Sequence, residues 1–289
     1  MVFKSEPITF VAQEIGWYAV QIAANDIATT GAKPAWMLLT ALFPEGQASP
    51  ERIRSSSDQV ASAAQAIGVS VIGGHTEVTH GIDRPILIST MIGEIECSDL
   101  VSPNGAQPGN HIILTKSVPI EATAIISREF PEKISTILLP EQIEKAKNYT
   151  FEPGVSILKD AQIACRSGKV TAMHDPTEGG VATALWELAE ACQSTLIINT
   201  DRILVTDISA LICEHLGLDP LGAIASGALL IVSTADSSET IISALMAEGL
   251  FASKIGDVRN GPAQVLHETS TGLVPLLPFA RDEITKLYE

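Results

Sequence analysis

The sequence predicts an α/β (or α+β) protein of two domains, and three observations carry that expectation. Strand-like apolar runs alternate with helix-like stretches along the whole chain. The core material is aliphatic: 46% of residues are hydrophobic but only 4% are aromatic, a balance suited to sheets covered by helices and foreign to disorder. A chain of 289 residues is long enough for two domains of ordinary size. The turn-rich segment SDLVSPNGAQPGN at 98–110 is the natural boundary, which sets the expected domains at 1–98 and 110–289.

Each element follows from its local pattern. Residues 2–10 read as a strand and 13–30 as a helix, with Gly31 as its C′ residue and Pro34 just beyond. The unbroken apolar run AWMLLTALF at 35–43 is a strand. Ser49-Pro50 opens a helix that Gly68 closes, and VSVIGG leads through a turn to the longer strand PILISTMIGEIE. Beyond the boundary come the strand HIILT, a helix at 119–128, a proline-punctuated helical region at 131–166 and the strand KVTAM. A small-residue helix, a strand at 226–234, a helix at 236–248, short strands to about 275 and a terminal helix over RDEITKLYE complete the chain.

Charge narrows the function classes. Lys plus Arg number 18 and Asp plus Glu 34, a formal net charge of −16, so the surface repels nucleic acid and anionic membranes and suits divalent cations. Cys97, Cys165, Cys192 and Cys213 are widely spaced and read as small core residues in a reducing compartment. The N-terminal segment carries charge at positions 4 and 6 and lacks a signal-peptide apolar region, so a cytoplasmic protein is expected.

The stretch TAMHDPTEGGVATALWE at 171–187 is the most informative one. Asp175 can cap a helix, Pro176 suits its first position and Glu178 completes a capping box. Gly179 and Gly180 need more, since glycine inside a helix costs about 1 kcal/mol against alanine. Either helix and sheet pack closely there, or a ligand such as phosphate approaches bare amides at the helix start. Asn25 and Asp26 interrupt an apolar helix, so Asp26 either faces solvent or holds a metal. In VIGGHTEV, Gly73 and Gly74 form a tight reverse turn or a ligand contact, with His75 and Thr76 beside it and Glu77 available to Mg²⁺. Lys116 closes an apolar strand as a surface lysine or a phosphate contact. No P-loop, G-x-G-x-x-G, H-E-x-x-H or G-x-S-x-G motif is present, so any nucleotide must be bound by another scaffold.

Taken in order, ANDIATTGAKP, VIGGHTEVT, NGAQPGNHIILTKSVPIEATAII, MHDPTEGGVATAL and LDPLGAIASGALLIV resemble the AIR synthase (PurM-like) superfamily over essentially the whole chain. That superfamily includes aminoimidazole ribotide synthase, selenophosphate synthetase, thiamine-monophosphate kinase and the hydrogenase-maturation protein HypE. The Asp-Pro-Thr-x-Gly-Gly run looks most like the HypE branch and the AIR synthase-related proteins grouped with it. The resemblance implies an N-terminal domain that pairs into a dimeric β-barrel, a larger C-terminal α/β domain, and ATP in the groove between them. It also implies Mg²⁺-dependent phosphoryl transfer to a carbonyl- or amide-type oxygen, or another acceptor, of a small molecule or protein.

Carried over position by position, Asp26 and Asp175 match metal-binding carboxylates, and Glu6 in Lys-Ser-Glu-Pro stands where relatives often have Thr-Thr-Asp. Gly73, Gly74, His75 and Thr76 match the glycine turn at the nucleotide, with His75 in place of an Asp and Glu77 as compensation. Thr177, Gly179 and Gly180 match the phosphate-facing helix start, and Lys116 joins Asp26 and Asp175 as a catalytic candidate. Two departures shape the expectation. Relatives begin with a further strand and an Asp-Asp-Ala-type segment, so the chain is expected to be truncated, misassigned at its start or catalytically weakened. It ends in Thr-Lys-Leu-Tyr-Glu, without the terminal cysteine that carries the HypE carbamoyl-dehydration reaction, so that reaction is not expected in its usual form. An ATP-dependent, Mg²⁺-requiring enzyme is the first expectation. The alternatives are a non-catalytic nucleotide-binding accessory dimer and a selenophosphate-synthetase-like or thiamine-phosphate-kinase-like transferase.

Overall fold

A computed structural model describes residues 1–9, 11 and 13–288. Phe10, the expected end of the first strand, and Glu289, the end of the expected terminal helix, lie outside the described residues. The chain divides into two compact units, Met1–Leu100 and a second from Val101 onward, each with its own sheet.

The first unit runs β1 (Val2–Ile8), α1 (Ile15–Thr29), β2 (Lys33–Pro44), α2 (Pro50–Ala66), β3 (Ser70–Thr79) and β4 (Ile86–Glu94). Its four strands lie in the order β1-β4-β2-β3, with only the β2–β3 pair parallel because α2 carries the crossover. Ser49 caps α2 by accepting from the Arg52 amide at 3.2 Å, with Pro50 in the first turn, as the sequence predicts. Both helices cover one face of the sheet, where Met37, Phe43, Leu87 and Met91 are buried. The Ser89 hydroxyl donates to the Ala19 carbonyl at 2.6 Å and ties β4 to α1.

The turn expected at Gly73-Gly74 is a strand: β3 continues through both glycines to Thr79. The reason lies in the partner strand. A Cβ on Gly74 would stand 2.0 Å from the Leu39 carbonyl oxygen, so glycine here admits a close strand approach.

The second unit contains β5 (His111–Thr115), α3 (Ile120–Glu129), α4 (Pro131–Ile134), α5 (Pro140–Lys147), α6 (Leu158–Ser167), β6 (Val170–His174), α7 (Gly180–Cys192), β7 (Thr195–Ile198), α8 (Asp207–Leu216), β8 (Leu230–Ser233), α9 (Ala235–Ala247), β9 (Ala252–Arg259), β10 (Gln264–Thr269) and β11 (Gly272–Pro275). Its sheet has seven strands in the order β11-β10-β7-β9-β5-β8-β6, parallel only between β10 and β7. Ile112, Leu114, Leu230 and Val232 of the central strands pack with Val181, Leu185 and Leu188 of α7. Each such buried side chain contributes about 1.5–3 kcal/mol relative to exposure.

Three further expectations need correction, and two elements, β7 and α8, are not anticipated by the sequence pattern. The terminal helix is a 3₁₀ turn at Glu283–Leu287. The small-residue helix starts at Gly180 rather than after Asp175. Of the four cysteines only Cys213 is buried, while Cys97 and Cys165 are exposed, so they are not a core set.

Candidate functional site

In the first unit, Lys4 and Glu6 stand two residues apart on β1 and therefore share a face. Asp26, in the interior of α1, meets them there. The Lys4 ammonium lies 3.1 Å from Asp26 Oδ1 and 3.3 Å from Glu6 Oε2. Burial would lower the lysine pKa, but the two carboxylates outweigh it and the net shift is upward. Asp26 is thus not simply solvated.

Cross-strand pairing places Gly73, His75 and Glu77 opposite Leu38, Thr40 and Leu42, on one face of the sheet. His75 Nε2 lies 3.4 Å from Glu77 Oε2, with both side chains more than half exposed. Gly73, Gly74, His75 and Thr76 also line a cavity of about 300 Å³ whose other wall comes from Ser57, Val60 and Ala61 of α2. The structure brings these four candidates together within one unit.

In the second unit, β6 delivers His174 and Asp175 to the start of α7. Asp175 is buried, and its Oδ2 has no hydrogen-bond partner among the described residues. His174 Nε2 meets Glu187 Oε2 at 2.7 Å, and its Nδ1 lies 3.9 Å from Asp175 Oδ1. Burial alone would lower the His174 pKa, but the nearby Asp175 carboxylate and the hydrogen-bonded Glu187 carboxylate carry it up to about 9.

The amides expected to be bare at the helix start are engaged. Gly179 N donates to Asp282 Oδ2 at 2.7 Å, and Gly180 N donates to the Thr177 carbonyl at 3.0 Å. Both glycines have positive φ, +79° and +62°, which favours glycine. A Cβ on Gly180 would lie 2.4 Å from the Leu221 carbonyl oxygen. Of the two readings left open by the sequence, close packing accounts for the glycine pair.

Lys116 is not on the surface. Its ammonium donates to the Ser156 carbonyl at 2.6 Å and the Gly227 carbonyl at 2.9 Å, and lies 3.2 Å from Asp160 Oδ2. Thr115 Oγ1 donates to the other Asp160 oxygen at 2.7 Å. Burial lowers the lysine pKa against the pull of Asp160.

Sequence reasoning missed Glu121, Ser226 and Asp282. Glu121 is buried on α3; burial pushes its pKa up to about 8, with the Glu178 and Asp282 charges adding to the rise. Ser226 lies close enough to ease that rise, although neither Glu121 Oε2 nor the Ser226 hydroxyl makes a hydrogen bond of ordinary geometry among the described residues. A carboxylate inside the apolar run VPIEATAII was the available signal for Glu121. Nothing local could have marked Asp282, which reaches Gly179 from the far end of the chain.

A bound Mg²⁺ needs oxygen ligands with unspent lone pairs. Asp175 Oδ2 has no partner among the described residues, whereas one oxygen each of Glu6 and Asp26 faces the Lys4 ammonium. No cluster of three or more His, Cys, Asp or Glu side chains suited to a metal occurs among the described residues. A single carboxylate fits a Mg²⁺ that takes most of its shell from phosphate and water.

Residues 2–95 match the AIR synthase related protein, N-terminal domain, and residues 107–268 match the corresponding C-terminal domain. A hydrogenase expression/formation protein of Methanocaldococcus jannaschii is 32% identical over 240 residues, covering 81% of this chain and 66% of that protein. The carbamoyl dehydratase HypE of Cupriavidus necator is 27% identical over 239 residues, covering 81% of this chain and 64% of that protein. The chain thus spans just under two thirds of the length of these curated relatives. The crystal structure of hydrogenase maturation protein HypE in complex with ATP superposes with a TM-score of 0.83 at 23% identity, covering 98% of this chain and 86% of that one. That likeness establishes the two-domain PurM-like fold.

Proposed function

The chain belongs to the AIR synthase-related family, and from that premise we propose that it binds ATP with Mg²⁺ and activates a carbonyl- or amide-type oxygen by phosphoryl transfer. The observation that carries the reading is Asp175, a buried carboxylate with one oxygen unspent, at the mouth of a strand-to-helix turn. A metal held there would neutralise charge on the nucleotide phosphates. Asp175 supplies its protein ligand, and His174, paired with Glu187, helps fix the Asp175 carboxylate. Thr177 lies beside it; the Gly179 amide becomes a phosphate donor when Asp282 gives up its hydrogen bond. Within the first unit, Gly73, Gly74, His75 and Thr76 line the cavity beside α2 as nucleotide-contact candidates, and Glu77 adds a carboxylate beside His75. Lys116, with its donors committed, positions the loop after β5. Relatives bearing hydrogenase-maturation names make that pathway the natural setting.

Calorimetry on the full chain tests this: ATP with Mg²⁺ should bind in the micromolar range, and Asp175→Asn should weaken it at least about tenfold, or about 1.4 kcal/mol. The absence of binding by the unmodified chain at such concentrations would overturn the reading.

A second reading has its own support. The Lys4 ammonium faces both Glu6 and Asp26, which supports reading the chain as a non-catalytic nucleotide-binding accessory dimer. ATP binding with background turnover across carbonyl and amide acceptors would select it.

A further inference from the structure

In the first unit, carboxylates from two different elements converge on a cation that the chain itself supplies. Glu6 comes from β1 and Asp26 from α1, and the Lys4 ammonium stands 3.3 Å from one and 3.1 Å from the other. These are ordinary charge-assisted contacts, and they place the ammonium between the two carboxylates, in the space that Mg²⁺ or Mn²⁺ at about 2.0–2.2 Å from both would need. Two cations cannot share that space: a divalent ion seated on both carboxylates would lie within a few ångströms of the ammonium, and the repulsion would be strong at a partly buried site. Lys4 reaches its partners from within the same strand as Glu6, so the arrangement is intramolecular and needs no ligand to assemble it. The three side chains are 42%, 25% and 21% exposed.

We propose that Lys4 is a tethered cation that fills the position between Glu6 and Asp26 and closes this pair to divalent metal. It holds β1 against α1 as a metal bridge would, without depending on metal concentration. The inference deepens the proposed function, because it leaves Asp175 in the second unit as the carboxylate that takes Mg²⁺. It does not require that reading, since the test below contains no nucleotide.

Mn²⁺ titration followed by electron paramagnetic resonance, on the full chain without nucleotide, decides it. Lys4→Met should create a Mn²⁺ site at least about tenfold tighter than any the unmodified chain shows in the first unit. Adding Asp26→Asn to Lys4→Met should abolish it. Lys4→Arg should behave as the unmodified chain, because a cation still fills the space. Two outcomes would overturn the proposal: Lys4→Met binding Mn²⁺ no better than the unmodified chain, or Asp26→Asn alone removing a Mn²⁺ ion from it. Circular dichroism of each variant separates a lost fold from a lost site. Failure of ATP binding would sink the proposed function and leave this result standing.

Discussion

Burial makes Glu121 a pH sensor of stability. With a folded-state pKa of about 8 against 4.5 for the free side chain, the folded chain keeps a proton that the unfolded chain releases. The folded state then binds more protons, so stability falls as pH rises from about 4.5 towards 8. His174 behaves likewise in a higher window, its contribution full below 6.5 and lost as pH climbs through about 9. Urea midpoints of Glu121→Gln should therefore be flatter than those of the unmodified chain between pH 5 and 6.5. At pH 8 the difference should be on the order of 4 kcal/mol in favour of the variant. Lys116 leads to the opposite expectation. Removing one partner of a buried pair strands the other, so Lys116→Met should cost about 3–5 kcal/mol in urea unfolding. The lysine at the end of β5 was legible in the sequence. Its burial was not, because Asp160, Ser156 and Gly227 come from distant parts of the chain.

The start of α7 shows how an element can be foreseen and still be set in the wrong place. Asp175-Pro176-Thr177-Glu178 satisfies a capping box, yet helical structure begins at Gly180. Asp175 faces inward with an unpartnered oxygen, and Asp282 serves the Gly179 amide instead. A Cβ at Gly180 meets the Leu221 and Ala223 carbonyl oxygens at 2.4 and 2.7 Å, on a backbone with φ +62°. Gly180→Ala should accordingly lower stability by about 2 kcal/mol or more, read as a drop in thermal midpoint. Unforeseen α8 did carry signals: Thr206 accepts from the Ser209 amide at its start, and Gly217 has a left-handed conformation at its end. The four residues of β7 are too few to show a period.

Across the whole molecule, the sheet of the first unit raises a question of assembly. Its helix-free face carries Phe3, Leu38 and Ile72 at 60%, 40% and 57% exposure, and β3 is open along its length. An unpaired edge strand of this kind is a pairing template. We propose that a second copy covers it, giving the homodimer that the family resemblance implies. Sedimentation should then show a dimer that Leu38→Lys shifts towards monomer, with the far-ultraviolet dichroism unchanged; a monomeric unmodified chain would refute this. No helix among the described residues is long and apolar enough to cross a membrane.

The order of strands and helices, the α2 cap and the family resemblance were legible because periodicity, turn chemistry and motif order are local properties of the chain. Charge was legible too: an acidic surface and candidate carboxylates could be named from the sequence. What each carboxylate touches depends largely on residues that only the fold brings near. Lys4 spans Glu6 and Asp26, Asp282 reaches Gly179, and Asp160 anchors Lys116. Gly74 lies in a strand where the Leu39 carbonyl passes too close for a side chain. Only folding sets those distances, and at a few ångströms they decide whether a carboxylate is an open ligand or a spent one.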